Sequence, residues 1–382
     1  MTNDEKALLL HEQWNGKLET KVKSRIRSRE DLSIAYTPGV AQPCIKIANN
    51  KEDVYKYTSK ANTIAVITDG SAVLGLGNIG PEAAMPVMEG KAAIFKEFAD
   101  VNAVPICLAT QNTDEIISTI ANIAPAFGGI NLEDISAPRC FEIEKRLNDL
   151  LDIPVFHDDQ HGTAIVVLAA IINALKVTGK SKESCRVVIS GAGAAGIAIA
   201  KIFAKYGFND ILVCGTKGII NSRLHCLNIA QLELLNITNK YDVSGTLADA
   251  LNGADIYIGV SAPGIVTKEM ASKMNDKSIV FAMANPIPEI MPDEAKEAGA
   301  FIIGTGRSDY PNQVNNVLAF PGVFKGALEG HAKEITDDMK LAAAKAIAAL
   351  IPEDELNENN ILPEAFDPKV TEVVSNAVKE LI

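Results

Sequence analysis

Two pairs of adjacent acidic residues are the strongest chemical signal in this sequence. Asp158 and Asp159 follow one short apolar segment that is predicted as a strand, and Glu133 and Asp134 follow another. Open α/β sheets bind ligands at the carboxyl ends of their strands, so neighbouring strands would bring these carboxylates together. Like charges held close together repel one another unless a cation lies among them. The pattern therefore predicts a site for a hard divalent cation such as Mg²⁺.

Each acidic pair also has an ordinary structural explanation. Glu133 and Asp134 could begin a helix or lie in a solvated turn. Asp158 and Asp159 could cap the apolar helix that is predicted from Ala164 to Leu175. The metal hypothesis gains support only from the other motifs of the chain.

The composition indicates a globular protein of two domains. The chain has 382 residues, of which 47% are hydrophobic and 22% are charged, and its formal net charge is −12. This acidic balance, without any block of basic residues, argues against a nucleic-acid-binding protein. The six cysteines show no C-x-x-C spacing, which favours a reducing cytoplasm as the location.

Neither a secretory signal nor a membrane span is predicted. The first residues are polar and charged, and the apolar run at residues 7–10 is too short for a signal peptide. The longest aliphatic run, Ala164 to Leu175, is too short to span a bilayer and is predicted as a buried helix. We therefore expect neither a membrane nor a nucleic acid as a partner.

Apolar strands alternate with helices, which predicts an α/β fold with parallel sheets. We predict an N-terminal α/β domain at residues 1–161, a Rossmann-type doubly wound dinucleotide-binding domain at residues 162–320, and a C-terminal helical segment, residues 321–382, that closes the fold. Residues 1 to about 30 are predicted as polar and helical. The predicted strands are residues 63–68, 104–109, 129–132, 153–156, 186–190, 210–214, 255–260, 278–284 and 300–303.

Regularly spaced glycines predict a nucleotide site. The segment Gly191-Ala192-Gly193-Ala194-Ala195-Gly196 lies between a predicted strand and a helix predicted at residues 197–206. G-x-G-x-x-G in this context is a dinucleotide fingerprint, because its glycines permit a tight turn and a close approach of the pyrophosphate. The N-terminus of the helix would supply N–H groups and a positive dipole to the phosphates.

The next strand ends without the acidic residue that usually binds the adenine ribose of NAD. Gly215 occupies that position, and Thr216 and Lys217 follow it. Without a carboxylate the 2′-phosphate of NADP is not repelled, and Thr216 or Lys217 could bind it. NAD loses one contact but is not excluded, so we expect use of both cofactors with a slight preference for NADP.

Two further side chains have types that suit proton transfer. Lys91 lies among apolar residues of a helix predicted from about Pro81 to Phe98, with an interruption near Pro86. Burial lowers the pKa of a lysine, so Lys91 could act as a base near neutral pH, although a lysine that extends to solvent is commoner. Tyr36 stands beside a Pro-Gly turn, where a tyrosine either presents its phenol or covers the edge of a core.

Three asparagines could contact a small polar ligand. Asn285 follows a predicted strand and should line the cofactor cleft. Asn315 and Asn316 end an amide-rich loop, and amides bind a carboxylate or a hydroxyl without adding charge. The same loop could equally be an ordinary turn-rich connection.

The chain resembles malic enzyme of the short bacterial type over essentially its full length. The motifs that carry the resemblance are Ala35-Tyr36-Thr37-Pro38-Gly39-Val40-Ala41, Thr68-Asp69-Gly70 with Leu74-Gly75-Leu76-Gly77, Glu89-Gly90-Lys91, Leu132-Glu133-Asp134-Ile135, His157-Asp158-Asp159-Gln160-His161-Gly162-Thr163, and Asn315-Asn316-Val317 with Phe320-Pro321-Gly322. This resemblance implies oxidative decarboxylation of (S)-malate to pyruvate and carbon dioxide. It also implies that NAD or NADP is reduced and that Mg²⁺ or Mn²⁺ is required.

The resemblance also implies roles for particular residues. Lys91 matches the general base of the family, Tyr36 its general acid, and Asp158 the acid that supports the lysine. Asn285 matches a position near the nicotinamide and the substrate. The metal ligands of the family are matched by Glu133, Asp134 and Asp159, and its contact to the substrate carboxylate by Asn315 or Asn316.

One position departs from the family pattern. Larger members carry an arginine two residues after the Asp-Gly of the glycine loop, where it holds a substrate carboxylate, whereas Ser71 and Ala72 stand here. Substrate binding must therefore depend on other groups, such as the asparagine loop or a partner subunit. The resemblance also implies a homodimer, in which sites could be completed across the interface.

Other functions share parts of this pattern. An enzyme of the same fold could convert malate to lactate and retain its cofactor, or decarboxylate only added oxaloacetate. A nucleotide-sensing module without catalysis would be expected to lack Lys91, Tyr36 or a carboxylate, and all of these are present. An amino-acid dehydrogenase with two domains would have no use for the acidic cluster.

Overall fold

Four parallel strands form the first sheet. The computed structural model describes residues 2–73 and 75–382, so Met1 and Leu74 of the glycine loop lie outside the described residues. The sheet has the order β2-β1-β3-β4. Its strands are β1 (Thr63–Thr68), β2 (Asn102–Cys107), β3 (Gly129–Leu132) and β4 (Val155–His157). Because β3 and β4 are parallel neighbours, the acidic pairs that follow them emerge at the same edge.

The second sheet has six strands in the order β10-β9-β8-β5-β6-β7. Its strands are β5 (Arg186–Ser190), β6 (Asp210–Gly215), β7 (Gly218–Ile219), β8 (Ile256–Gly259), β9 (Ile279–Ala282) and β10 (Ile302–Thr305). All neighbours are parallel except β6 and β7, which form a hairpin. The chain extends from β5 to β6 on one side and returns to β8 on the other, which creates the switch point at which such sheets bind dinucleotides. The predicted α/β fold with a Rossmann-type domain is confirmed.

Helices cover both sheets and close the chain. They are α1 (Asn3–Trp14), α2 (Arg29–Ala35), α3 (Ala41–Asn49), α4 (Asp53–Tyr57), α5 (Pro81–Ala99), α6 (Thr113–Ile123), α7 (Arg139–Leu150), α8 (Asp158–Thr178), α9 (Ala194–Tyr206), α10 (Ile229–Leu234), α11 (Leu247–Leu251), α12 (Lys268–Ala271), α13 (Pro292–Glu297), α14 (Phe320–Glu329), α15 (Asp337–Ala348) and α16 (Pro368–Lys379). The helices α14 and α16 pack on each other and on α5, so the end of the chain returns to the first sheet.

Helix α8 is the central element of the core. Most of its side chains are buried, and the amide of Asn173 donates hydrogen bonds to Ala348 O and Ile361 O, which ties α8 to the C-terminal helices. Within the part of the chain that the structure describes, it is the one helix long and apolar enough to cross a membrane, but 72% of its apolar window is buried in the protein. That burial is typical of a core helix. The domain boundary predicted at residues 161–162 falls inside α8 and stays a prediction.

Three helix predictions differ from the structure. Helix α8 begins at Asp158 rather than Ala164, so the acidic pair lies in its first turn. Helix α5 continues through Pro86, because buried contacts of Ala84 and Met88 on either side hold it and the proline removes only one helical hydrogen bond. The prediction of a helical segment over residues 1 to about 30 is wrong between Asn15 and Ser28, where no helix forms.

The N-terminal segment, residues 2–59, lies on the surface of the chain. None of these residues, all of which the structure describes, is buried. Capping boxes start α1 at Thr2 and α2 at Ser28, so local hydrogen bonds begin both helices without help from packing. The segment contacts α5 through Lys17, whose Nζ donates to Pro86 O at 2.8 Å. Large apolar side chains such as Ile34 remain 68% exposed.

Candidate active site

Three carboxylates converge at the edge where β3 and β4 end. One oxygen from each of Glu133, Asp134 and Asp159 lies within 4.8 Å of the others, and the two residues that follow β3 are buried. The backbone N–H of Asp134 donates to Asp159 Oδ2 at 2.9 Å, which joins the loop after β3 to the first turn of α8. Burial raises the pKa of Glu133 and raises that of Asp159 to about 6. Carboxylates held this close could bind a hard divalent cation, which would offset their mutual repulsion.

Lys91 of α5 contacts this cluster. Its Nζ lies 2.6 Å from Asp158 Oδ2 and 2.9 Å from Glu133 Oε1, and it stands 4.1 Å from the ring centroid of Phe320. Burial lowers the pKa of Lys91, but the negative charges of Asp158 and Glu133 outweigh burial and raise it above its ordinary value. The predicted lowering of the lysine pKa by burial is therefore wrong, because two acids distant in sequence contact the ammonium group.

The asparagine loop reaches the same point through one of its two residues. Asn316 Nδ2 donates to Asp158 Oδ2 at 2.5 Å, whereas Asn315 Oδ1 accepts the N–H of Val317 and starts a short 3₁₀ helix. A Cβ atom on Gly162 would lie 1.8 Å from Asp158 Oδ1. Glycine is therefore required beside Asp158 if Asn316 and the acid are to meet.

Tyr36 stands apart from these contacts in its exposure. It ends α2, and its side chain is 66% exposed, while Lys91 is 8% exposed. Its backbone hydrogen bonds join it to Leu32 and Val40, which belong to the same exposed segment. The structure therefore presents the phenol on a surface rather than in the buried cluster.

The fingerprint forms the turn that its glycines predicted. Gly191 has a φ of 114°, and a Cβ atom on Gly196 would lie 1.7 Å from Gly191 O, so both positions require glycine. Helix α9 begins at Ala194. Its N-cap residue, Gly193, has no side chain to cap the first N–H groups of the helix. Ala192, Gly193 and Ala195 complete a turn whose N–H groups are available to phosphates.

The end of β6 lies beside this turn. A Cβ atom on Gly215 would be 3.7 Å from the Cβ of Ala192, an ordinary contact distance. Thr216 and Lys217 are exposed in the hairpin that follows, and Lys217 Nζ lies 2.8 Å from Cys226 Sγ. The hairpin therefore places a hydroxyl and a cation after the strand that usually carries the ribose-binding acid.

Asn285 lies where the two domains meet. A Cβ atom on Gly75 would be 2.6 Å from Asn285 O, so the glycine loop of the first domain approaches the loop after β9. A Cβ atom on Gly306 would be 2.7 Å from Asn285 Nδ2. Two other loops thus approach this asparagine, and the glycine in each permits the close approach.

Two buried acids were missed from the sequence. Glu289 is 0% exposed, and its carboxylate accepts hydrogen bonds from the N–H groups of Ser261 and Ala284, which lie after β8 and β9. Glu144 accepts hydrogen bonds from His157 N at 2.8 Å and Gln160 Nε2 at 3.1 Å. The available signals were an acid between Pro288 and Ile290 and an acid on the apolar face of α7.

Two family models match the chain. "Malic enzyme, N-terminal domain" matches residues 15–113 and 109–148, and "Malic enzyme, NAD binding domain" matches residues 160–380. Together they cover three strands of the first sheet, the whole second sheet and the C-terminal helices, and leave residues 149–159 between them.

Individual proteins resemble the chain along most of its length. It is 55% identical over 379 residues, 99% of this chain and 92% of the relative, to "Bifunctional malic/malolactic enzyme" of Bacillus subtilis. It is 56% identical over 376 residues, 98% of this chain and 78% of the relative, to "NAD-dependent malic enzyme" of Geobacillus stearothermophilus. A crystal structure of NAD-dependent malic enzyme from Thermotoga maritima superposes with a TM-score of 0.94 and 52% identity, covering 98% of each chain.

Proposed function

Because this chain belongs to the malic enzyme family, we propose that it converts (S)-malate and NAD or NADP to pyruvate, carbon dioxide and the reduced cofactor. The observation that carries the proposal is the buried contact of Lys91 with Glu133, a member of the carboxylate cluster, and with Asp158, the neighbour of another member. A base and a dinucleotide fingerprint suit the oxidation of a hydroxy acid, and acidic metal ligands suit the decarboxylation that follows.

Glu133, Asp134 and Asp159 would hold the divalent cation, Mg²⁺ or Mn²⁺. Support comes from the convergence of their oxygens and from the absence of nitrogen and sulfur donors among them, since hard cations prefer oxygen. A cation held by these residues would supply Lewis-acid polarisation of the C2 oxygen of malate, and a bound nicotinamide would supply the acceptor for the C2 hydride. Two of the three ligands follow one strand, so the loop after β3 governs the site.

The proton transfers are assigned to side chains of this chain. Lys91, after releasing its own proton, accepts the proton of the C2 hydroxyl, and Asp158 holds its ammonium group in position. Tyr36 donates a proton to C3 as carbon dioxide leaves, and Lys91 returns one to the tyrosine. Asn316 is positioned by Asp158 to contact a substrate carboxylate, with Asn315 and Asn285 as neighbouring contacts.

The cofactor is assigned to the turn at residues 191–196. Ala192, Ala194 and Ala195 offer backbone N–H groups, and the three glycines give the pyrophosphate room. Thr216 and Lys217 would accept the 2′-phosphate of NADP, while the absence of an acid at Gly215 leaves both cofactors admissible. We therefore propose relaxed cofactor use with a slight preference for NADP.

A homodimer in the cytoplasm completes the proposal. Residues 2–59 expose apolar side chains such as Ile34 and Val22, at 68% and 67%, which a second copy would cover. Tyr36 belongs to this segment, so its phenol would act in the site of the partner subunit. Six free thiols fit a reducing compartment.

A second candidate is the conversion of malate to lactate with the cofactor retained. The relative from Bacillus subtilis is named as both a malic and a malolactic enzyme, and it is 55% identical to this chain. Such an enzyme would form lactate from malate without accumulating reduced cofactor.

The test is an absorbance assay of nicotinamide reduction with malate. NAD and NADP are compared in parallel, each with Mn²⁺ and with a chelator, while pyruvate and lactate are measured. Metal-dependent reduction with one pyruvate per reduced cofactor is expected. Lactate without net reduction would favour the malolactic reaction, and metal-independent reduction would contradict the role given to the carboxylate cluster.

A further inference from the structure

A buried ion pair joins the end of β1 to the start of α7. Asp69 follows β1 and is 0% exposed, and its Oδ2 lies 2.8 Å from Nη1 of Arg139. The other carboxylate oxygen accepts hydrogen bonds from the N–H and the hydroxyl of Ser71. One guanidinium group and one serine thus contact the buried carboxylate of Asp69.

Arg139 also connects two loops. Its Nη2 donates to Ser71 Oγ at 3.0 Å and to Ser136 Oγ at 3.1 Å, and its Nη1 donates to Gln111 O at 2.5 Å. The N–H of Ser136 donates to the same Ser71 hydroxyl at 2.9 Å. Both terminal nitrogens of Arg139 are therefore engaged by the protein.

One of these two loops, the loop after β3, carries two members of the carboxylate cluster, and the loop after β1 is hydrogen-bonded to it. The N–H of Ala72 donates to Asp134 O at 2.9 Å, and the N–H of Asp134 donates to Asp159 Oδ2 at 2.9 Å. Arg139 is therefore linked to Ser71 by a hydrogen bond, and the next residue along the chain, Ala72, is linked by hydrogen bonds to Asp134 and through it to Asp159, two of the proposed metal ligands. A shift of the loop after β1 would be transmitted to the ligand geometry.

The charge of Asp69 matters for the substrate. Malate is a dianion, and its site already contains the carboxylates of the metal ligands. An uncompensated Asp69 would add a further negative charge at low dielectric, which would oppose binding of the dianion. Ala72 has no charged side chain that could compensate Asp69. Among the residues that the structure describes, the cationic side chain of Arg139 contacts both Asp69 and Ser71.

We propose that Arg139 is a positioning residue for the reaction: it neutralises Asp69 and holds the loop with Ser71 and Ala72 against the loop with Asp134. Arg139 thereby raises the affinity of the site for malate and for the divalent cation without contacting either. This inference rests on the proposed malic enzyme function, because it assigns a dianionic substrate to the site.

The test compares Arg139→Gln and Arg139→Lys with the double variant Arg139→Gln/Asp69→Asn. The matched control is Arg146→Gln, because Arg146 is also on α7 but its ion pairs with Asp114 and Glu142 are exposed. Each variant is assayed for kcat and for the KM of malate and of the cofactor. Binding of Mn²⁺ to the protein without substrate is titrated directly, so that the cation readout does not depend on turnover.

Arg139→Gln is expected to raise the malate KM and the Mn²⁺ dissociation constant about tenfold or more, the usual effect of losing a group that orients metal ligands. The cofactor KM and the Arg146→Gln variant should remain near wild type. The double variant should recover much of both losses because no buried charge is left unpaired, and Arg139→Lys should fall between.

Two results would overturn the inference. Unchanged malate KM and Mn²⁺ binding in Arg139→Gln would show that the ion pair does not position the site. A double variant as weak as Arg139→Gln would show that Arg139 does not act through Asp69. If the wild-type protein did not oxidise malate, the proposed function would fail, while the Mn²⁺ titrations would still decide the role of the ion pair.

Discussion

Lys91 Nζ and Asp158 Oδ2 form an ion pair of 2.6 Å between α5 and α8. The two residues lie 67 positions apart in the chain, and both side chains are buried. Asp158 also accepts a hydrogen bond from Asn316, so three distant segments meet at one carboxylate. An interior ion pair of this kind is costly unless every partner is present. The positions of α5, α8 and the asparagine loop therefore depend on one another through the carboxylate of Asp158.

Replacing Lys91 should separate catalysis from nucleotide binding. Lys91→Ala removes the proposed base and leaves Asp158 and Glu133 without their cation, so malate oxidation should fall by at least about a hundredfold. Binding of NADH or NADPH, followed by the fluorescence of its reduced nicotinamide, should persist because the fingerprint is untouched. The control is Lys96→Ala. Lys96 is also on α5, and its ion pair with Asp100 is exposed. Undiminished turnover in Lys91→Ala would refute the assignment.

Mixing two inactive variants should restore activity if Tyr36 acts across a dimer interface. Tyr36→Phe lacks the proposed acid and Lys91→Ala lacks the base. A mixed dimer would contain one intact site, and random exchange should recover up to about one quarter of wild-type activity. Copurification of the two variants through different affinity tags establishes that mixed dimers form. Dimers without recovered activity would place Tyr36 in the site of its own chain.

An acid at the end of β6 should shift the cofactor preference toward NAD. Gly215→Asp restores a ribose partner and repels the 2′-phosphate of NADP, and the distance of 3.7 Å from its Cβ to Ala192 leaves room for it. The ratio of kcat/KM for NAD to that for NADP should rise about tenfold or more, measured at saturating malate. Lys217→Ala serves as the comparison, since it tests the phosphate contact alone. An unchanged ratio in Gly215→Asp would locate discrimination elsewhere.

Glu289 should control the affinity for the cofactor from a distance. Glu289→Gln loses one acceptor for the N–H groups of Ser261 and Ala284, which leaves a buried donor unsatisfied and loosens the loops after β8 and β9. The cofactor KM should rise about tenfold by that loss, with a smaller change in the malate KM. Glu297→Gln, which changes an exposed acid paired with Lys268, is the matched control. Equal effects on both KM values would contradict this role.

Glu144 should stabilise the fold in a manner that depends on pH. Burial raises the pKa of Glu144, but the positive charge and hydrogen bond of His161 outweigh burial and lower it from 4.5 to about 2. The stabilisation is present above pH 4.5 and is lost as the pH falls toward 2, and the shift corresponds to about 3 kcal/mol. Glu144→Gln should lose up to about that amount at a pH at which His161 is protonated, and less at pH 7 because burial lowers the pKa of His161 from 6.5, measured by urea unfolding. A difference that did not shrink below pH 4.5 would contradict the assignment.

Local features of the sequence were sufficient for much of the fold. The predicted bounds of β1, β3 and β5 agree with the structure, because continuous apolar runs between polar or glycine-rich segments are typical of buried parallel strands. The fingerprint was recognisable for the same reason, since the strand, the turn and α9 are consecutive in sequence. Family membership followed from motifs that are each only a few residues long.

Interactions between distant segments could not be derived from those local features. The raised pKa of Lys91 depends on Asp158 and Glu133, which no spacing in the sequence brings to α5. The charge compensation of Asp69 depends on Arg139 in the same way. The exposed N-terminal segment was overpredicted as helix because its polar composition suits a solvated helix, whereas capping begins helices only at Thr2 and Ser28.

Helix α8 has a consequence for the inheritance of the two domains. Its first turn carries Asp158 and Asp159, while its body is buried between the sheets and the C-terminal helices. Recombination that exchanges the nucleotide domain together with this complete helix would transfer both acids to the recipient. Such an exchange would carry Asp159, one of the three proposed metal ligands, with the nucleotide domain and leave Glu133 and Asp134 behind, whereas a crossover at the predicted domain boundary would interrupt a helix.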